Sequence, residues 1–448
     1  MRSAECLQNK DSGRASADTR TGTVTGGDMR RAVIWNVIGS SLYALVSMIL
    51  GTLVIRVLGG DRGGIFFFAF STLGQHIYVI SYFGIRALHS TDTGVRYTFG
   101  EYHRLRIWTA LAGLAAALIV ALAYSGLSYK AAVIVIVAVY RVLDGYVDVY
   151  ECEMQRDGHL ELTGKSMTFR TLLVMAAFAA VMLLTKDLLL TSAALAVALA
   201  AAVLIYDVPR LKRIGETAPV SGSADYSVRD GRVKKLFNES IWLFAAVFLD
   251  FFAFAASKYA VDAGLTSTMS GYYSTLFVPA SAMLLFANFV VRPLLPGMSQ
   301  AYLGGDRAGL KQTLVRSILI IAAASAAAAA AAYFIGVQVL CIFAGAKAYE
   351  TMINYRFALA LIVVAGGIYG MLTPLYYALV IGRQQRLIFW IYLITAVIAF
   401  GLAFLMVDRL GITGGAWSMV ISQAVLFLGF YILSAKKLWN TASPVGSR

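Results

Sequence analysis

One apolar stretch of this chain carries both an acid and a base. Segment 240–261 (SIWLFAAVFLDFFAFAASKYAV) holds Asp250 at its midpoint and Lys258 two turns later. Its length suits a helix crossing a bilayer, which takes about 20 residues. A charge at membrane depth costs about 2.5–3.5 kcal/mol and normally faces a bundle interior or a watery cavity. Asp250 is therefore a candidate site for a coupling Na⁺ or H⁺. It equally suits a buried pair with a base elsewhere, or a neutral carboxyl. Lys258 lies about 12 Å further along the axis, at 1.5 Å per residue, too far to pair with Asp250 directly. It is a candidate contact for an anionic substrate, or a long stem that snorkels to the interface.

A second set of charges recurs on the fourth apolar run. Arg141, Asp144, Asp148 and Glu151 fall at intervals of three, four and three, within about 80° of one helical face. That stripe suits the polar wall of a cavity, with Arg141 toward an anion and Asp144 and Asp148 toward a coupling cation. The alternative has Arg141 and Asp144 neutralising one another at i, i+3, with Asp148 and Glu151 in the headgroup zone. Arg86 and Arg292 close the second and eighth runs. They serve either as interface anchors or as forks for a phosphate.

Other chemistries find no residues to carry them. The three cysteines (Cys6, Cys152, Cys341) and four histidines are scattered, so neither a disulfide framework nor a zinc site is expected. No GxxxxGK[ST] loop or Ser/His/Asp arrangement occurs, and neither an enzyme nor a bound cofactor is expected.

These residues must be positioned by spanning helices. The chain is 59% hydrophobic and 14% charged, against about 25% charged in soluble domains. Twelve spans can be drawn, at about 32–55, 64–88, 107–125, 131–152, 168–185, 188–208, 240–262, 270–295, 313–336, 355–381, 388–407 and 414–435. With the N-terminus inside, 29 of the 38 Lys and Arg fall on the inner side. This bias places both termini in the cytoplasm and assigns the net charge of +14 to topology and anionic lipid. Nucleic acid is not an expected partner.

The expected plan is all-α. A polar, disordered cytoplasmic N-terminus (1–31) precedes six spans (32–208), a basic cytoplasmic linker (209–239), six more spans (240–435) and a cytoplasmic tail (436–448). Met29 directly before the first run is a plausible start. Six spans per half let both halves begin on one side, as a parallel repeat does. A trace of that repeat places Arg56 twenty residues after Asn36, and Lys258 twenty after Asn238. By that match Lys258 reads mainly as a rim or anchor residue near the outer edge.

Several motifs carry a family resemblance. They are Arg56-Val57-Leu58-Gly59 followed by Gly63-Gly64 and an aromatic run, Gly271-Tyr272-Tyr273, and Arg292-Pro293 with Pro296. Another is Asp148-Val149-Tyr150 with Gln155, Gly164-Lys165-Ser166 and Arg170; Leu160-Glu161 departs from the Met-Asp often found there. Over nearly all of residues 30–435 the chain resembles polysaccharide and O-antigen flippases of the multidrug/oligosaccharidyl-lipid/polysaccharide exporter superfamily. The resemblance implies a MATE-like pair of six-helix lobes around a cationic cavity, in the cytoplasmic membrane of a bacterium. It implies alternating access that moves undecaprenyl-diphosphate-linked oligosaccharides between leaflets, with Arg141, Arg86 and Arg292 attracting the diphosphate. Polysaccharide polymerase and glycosyltransferases are the implied protein partners. Two other readings stand beside it: a multidrug antiporter using Asp144, Asp148 and Asp250, and a non-transporting scaffold of a polysaccharide synthesis complex.

Overall fold

The computed structural model describes residues 26–92, 96–217 and 227–439. The N-terminal segment 1–25, most of the tail and the middle of the linker lie outside the described residues.

Local chemistry marks most helix boundaries. The first helix, α1 (Gly26–Leu58), stops at Gly59, whose φ of 90° suits only a residue without a Cβ. α2 (Gly60–Tyr82) ends at a left-handed Phe83, and a short helix Arg86–Thr91 follows. α3 (Phe99–Ser125) opens with a reciprocal cap: Glu101 N donates to the Thr98 hydroxyl, and Thr98 N donates to the Glu101 carboxylate. Ser128, Asp187, Thr266 and Asp306 accept backbone N–H bonds at the starts of α4 (Tyr129–Arg156), α6 (Leu188–Arg213), α8 (Ser267–Leu294) and α9 (Arg307–Ala344). Between these lie α5 (Leu160–Thr185) and α7 (Arg232–Gly264). α10 (Ala346–Ile381) carries Pro374 within it.

Among the described residues, ten helices are long and apolar enough to cross a membrane by length and composition. Two further spans complete twelve. The run Gln385–Leu438 breaks at Gly411 (φ 58°, ψ −135°) into α11 (385–410) and α12 (412–438). α4 is as long as its neighbours, but its charged stripe removes it from an apolar count. The protein is a multi-pass, all-helical membrane protein. Helices extend further than the apolar runs: α6 continues to Thr217 and α7 begins at Arg232, so the expected linker is helical at both ends.

Two large hydrophobic clusters hold the helices together. One draws on residues 46–203, the other almost wholly on 253–438. Each half thus buries its own apolar surface, and the space between them is available for something else.

Candidate functional site

Between the halves lies a cavity of about 590 Å³, walled by α1, α2, α4, α7, α8 and Tyr369 of α10. Its local shape begins in α2, where residues Phe68–Leu73 widen into a π turn. Such turns recur at functional sites because they disturb the regular backbone ladder. Gly74 permits this one: a Cβ there would stand 2.3 Å from the Ala69 carbonyl oxygen and 3.1 Å from Arg141 Cγ. Two consecutive carbonyls of the turn accept charged side-chain donors from other helices. Arg141 Nε donates to Phe70 O at 3.0 Å, and Lys258 Nζ donates to Ser71 O at 3.2 Å and Ser71 Oγ at 2.8 Å.

Arg141 and Lys258 are the charged residues of the described lining, and no Asp or Glu lies among it. Arg141 is well supplied with partners. Its guanidinium stacks over the Phe70 ring at 3.8 Å, donates to the Tyr43 hydroxyl at 3.2 Å and lies 3.6 Å from Asp144 Oδ2. Lys258 has only neutral partners among the described residues: Ser71 and the Phe277 ring. His76 also lines the space; Tyr259 hydrogen-bonds its Nδ1, while its buried Nε2 has no partner among the described residues.

Behind Arg141 the acids of α4 are each matched by bases from other helices. Tyr43 donates to Asp144 at 2.6 Å, and Arg170 of α5 lies 3.9 Å from the other oxygen. Asp148 takes Arg86 and Arg106 of α3, both at 2.5 Å. Glu151 takes Arg170 at 2.8 Å and Arg86 at 3.1 Å. Buried charges persist only when paired and hydrogen-bonded in this way. Arg106 is nearly inaccessible, at 1% exposure, and also donates to the Tyr82 carbonyl. Just beyond the end of α2, His89 is fully buried, and desolvation pushes its imidazole well below the ordinary value, assisted by Arg156, Arg106 and Arg86.

Asp250 stands one hydrogen bond behind the cavity wall. The Tyr369 hydroxyl donates to it at 2.7 Å, Tyr392 lies beside it, and Tyr369 itself lines the cavity. No base pairs with it among the described residues; its hydrogen-bond partners there are Tyr369 and Tyr392.

The structure brings together Arg141 and Lys258, and it joins Asp144, Asp148 and Arg86 into the network at the side. Arg292 is exposed at the end of α8 and lies outside the lining. Lys258 requires a correction: it is not a rim anchor but is buried at 6% exposure within the cavity wall. Its helix runs on to Gly264, and α2 and α8 cover that end, so the stem reaches sideways to Ser71 rather than outward. Its repeat counterpart Arg56 is exposed and donates to Ile342 O in the second half. Nothing in the sequence marks Arg106, Tyr43, Ser71 or Tyr369 as part of this site. Arg106 borders an apolar run and reads there as a headgroup anchor, while neutral Tyr and Ser give no signal of depth.

One end of the cavity is closed by direct backbone approach. Gly64 of α2 meets Gly271 of α8 so closely that a Cβ on Gly64 would lie 1.6 Å from the Ser267 carbonyl oxygen. Beside this crossing, Lys130 Nζ contacts Asp262 Oδ2 at 2.6 Å, and Tyr124 and Ser270 donate to the same carboxylate. α1 packs on Ser267–Leu276 of α8. Leu45 on α1 lines the cavity and is exposed, and Phe286 and Phe289, which follow cavity-lining Leu285 on α8, are exposed as well.

No family model matches the sequence, and no curated protein matches it. Solved structures do. A multidrug resistance MATE family transporter of the MOP superfamily, in an inward-facing conformation, is 13% identical with a TM-score of 0.66, covering 91% of this chain and 100% of its own. The eukaryotic MATE transporter AtDTX14 is 12% identical (TM-score 0.59, covering 90% and 95%). A variant of the Vibrio cholerae MATE transporter VcmN is 13% identical (TM-score 0.54, covering 91% and 97%). Along nine-tenths of its length, this chain has the fold of the MATE transporters.

Proposed function

We propose that the protein is an alternating-access flippase of the MOP superfamily. Its cargo is an anionic lipid-linked headgroup, a polyprenyl-diphosphate oligosaccharide destined for surface polysaccharide. It works in the cytoplasmic membrane of a bacterium, with both termini cytoplasmic, beside polysaccharide polymerase and glycosyltransferases. One observation carries the reading: the cavity's charged lining is cationic, Arg141 and Lys258, with no carboxylate among the described lining residues. A diphosphate crosses a bilayer only where positive charge and hydrogen bonds replace its hydration. The exposed apolar flanks on α1 and α8 suit a lipid tail that stays in the bilayer while the headgroup enters. A Na⁺ or H⁺ gradient acting at Asp250 supplies the drive.

Reconstituted vesicles test this directly. A fluorescent polyprenyl-diphosphate sugar placed in one leaflet should become accessible in the other at a protein-dependent rate. A rate equal to that of protein-free vesicles rejects the proposal. A second reading, cation-coupled multidrug export, is favoured by the fold and by Asp250 one hydrogen bond from the cavity. It requires protonmotive or Na⁺-driven efflux of cationic dyes, with no movement of the lipid diphosphate.

A further inference from the structure

The two cavity cations hold adjacent residues of the same π turn, but they come from different halves. Arg141 reaches Phe70 O from within its own half, whereas Lys258 reaches Ser71 from the other. The Lys258 ammonium is thus a tie between the halves across the cavity. Its partners are a hydroxyl and a carbonyl, both neutral and both weaker acceptors for an ammonium than a phosphate oxygen. Arg141, with Asp144 and Tyr43 already about it, has less charge to offer an incoming anion.

We propose that Lys258 is the cation an anionic headgroup engages first, displacing Ser71, so that binding itself unties the second half from α2. This rests on the reading that the cavity accepts an anionic lipid headgroup. It adds the residue that senses the headgroup and the route by which binding becomes movement. Once Lys258 leaves, Ser71 O loses its outside donor, and Arg141 is the one charged side chain from another helix still bonded to the π turn among the described residues. α2 then becomes free to re-form its ladder, and α2 is also the helix that crosses α8 at Gly64 and Gly271. Headgroup capture and the closed end are therefore linked through one helix.

The test uses the full chain in lipid nanodiscs with farnesyl diphosphate as the probe and farnesol as the uncharged control. Binding is measured by calorimetry. Spacing between the halves is read by spin labels on cysteines replacing exposed Leu127 and Leu410. Farnesyl diphosphate, but not farnesol, should bind and shift the distance distribution. Lys258→Met should weaken binding about tenfold or more, as loss of one charge-assisted hydrogen bond implies, and should show a shifted distribution without ligand. Ser71→Ala, which removes the competing hydroxyl, should bind the probe more tightly. Equal binding by Lys258→Met, weaker binding by Ser71→Ala, or binding without any change in distance each overturns the inference while leaving the flippase reading in place. Failure of the unaltered protein to bind farnesyl diphosphate overturns both.

Discussion

Lys130 and Asp262 join the two halves at the closed end through a 2.6 Å ion pair whose acid is buried. The pair sits at the start of α4 and the end of α7, beside the glycine crossing. Replacing Asp262 with Asn should loosen this end. A cysteine placed at cavity-lining Ser274 should then react several-fold faster with an impermeant thiol reagent added on the side of the membrane that this end faces. Exchanging the two charges, Lys130→Asp with Asp262→Lys, should restore the slow rate. An unchanged rate in the single variant would show that the pair does not hold the closed end.

The glycine crossing gives a more severe test. Gly64→Val must push Ser267 away, because even the first side-chain carbon would overlap its carbonyl. Overpacking of this kind costs about 1–3 kcal/mol, and here the cost falls on one conformation. The expected result is protein that inserts and folds yet no longer closes this end, with flipping lost. Normal flipping by Gly64→Val would mean that the observed closure is not part of the cycle.

Charges in the α4 network and charges at the surface should differ sharply in thermal unfolding. Arg106→Ala leaves Asp148 with Arg86 alone; removing a partner from a buried pair costs up to about 3–5 kcal/mol. Arg292→Ala alters an exposed residue and should leave the melting temperature within about 0.5 kcal/mol equivalent of the parent. Comparable shifts for the two variants would contradict the pairing described.

Asp250→Asn and Tyr369→Phe separate drive from binding. Each should leave probe affinity intact and abolish the dependence of flipping on an imposed H⁺ or Na⁺ gradient. Gradient dependence that survives in both variants would remove Asp250 from the coupling.

Gly74→Ala bears on the π turn. The added carbon would press on the Ala69 carbonyl and crowd Arg141, so the turn should straighten and Arg141 should shift. Slower flipping, with the melting temperature little changed, is the expected outcome. Unchanged transport would show that the turn is dispensable.

The charge stripe of α4 was legible because helical spacing alone sets Arg141, Asp144, Asp148 and Glu151 on one face. The bases that answer it were not. Arg106 and Arg170 come from α3 and α5, and nothing in one sequence says which neighbour a face meets. Arg56 and Lys258 show the same limit more plainly. They match in the repeat, yet one is exposed and one lines the cavity, because what covers a helix end is decided by other helices. The span pattern was easier to see, since length and apolarity are properties of the segment itself. Even so, the real helices run past the apolar runs into polar sequence, where hydropathy no longer marks them.

The crowded charges of α4 bear finally on how the chain enters a membrane. The four charges of its stripe, Arg141, Asp144, Asp148 and Glu151, followed by Glu153 and Arg156, make this helix a poor candidate for partitioning on its own, since a charge near a bilayer centre costs about 2.5–3.5 kcal/mol. Its counter-charges emerge from the ribosome in an orderly way: Arg86 and Arg106 precede it and Arg170 follows. α4 is then best delivered as the middle member of a group, retained beside α2 and α3 until α5 arrives. Truncation after Arg156 would leave Glu151 without its closest partner, and a nascent chain stalled there should fail to integrate stably where one extended through α5 succeeds.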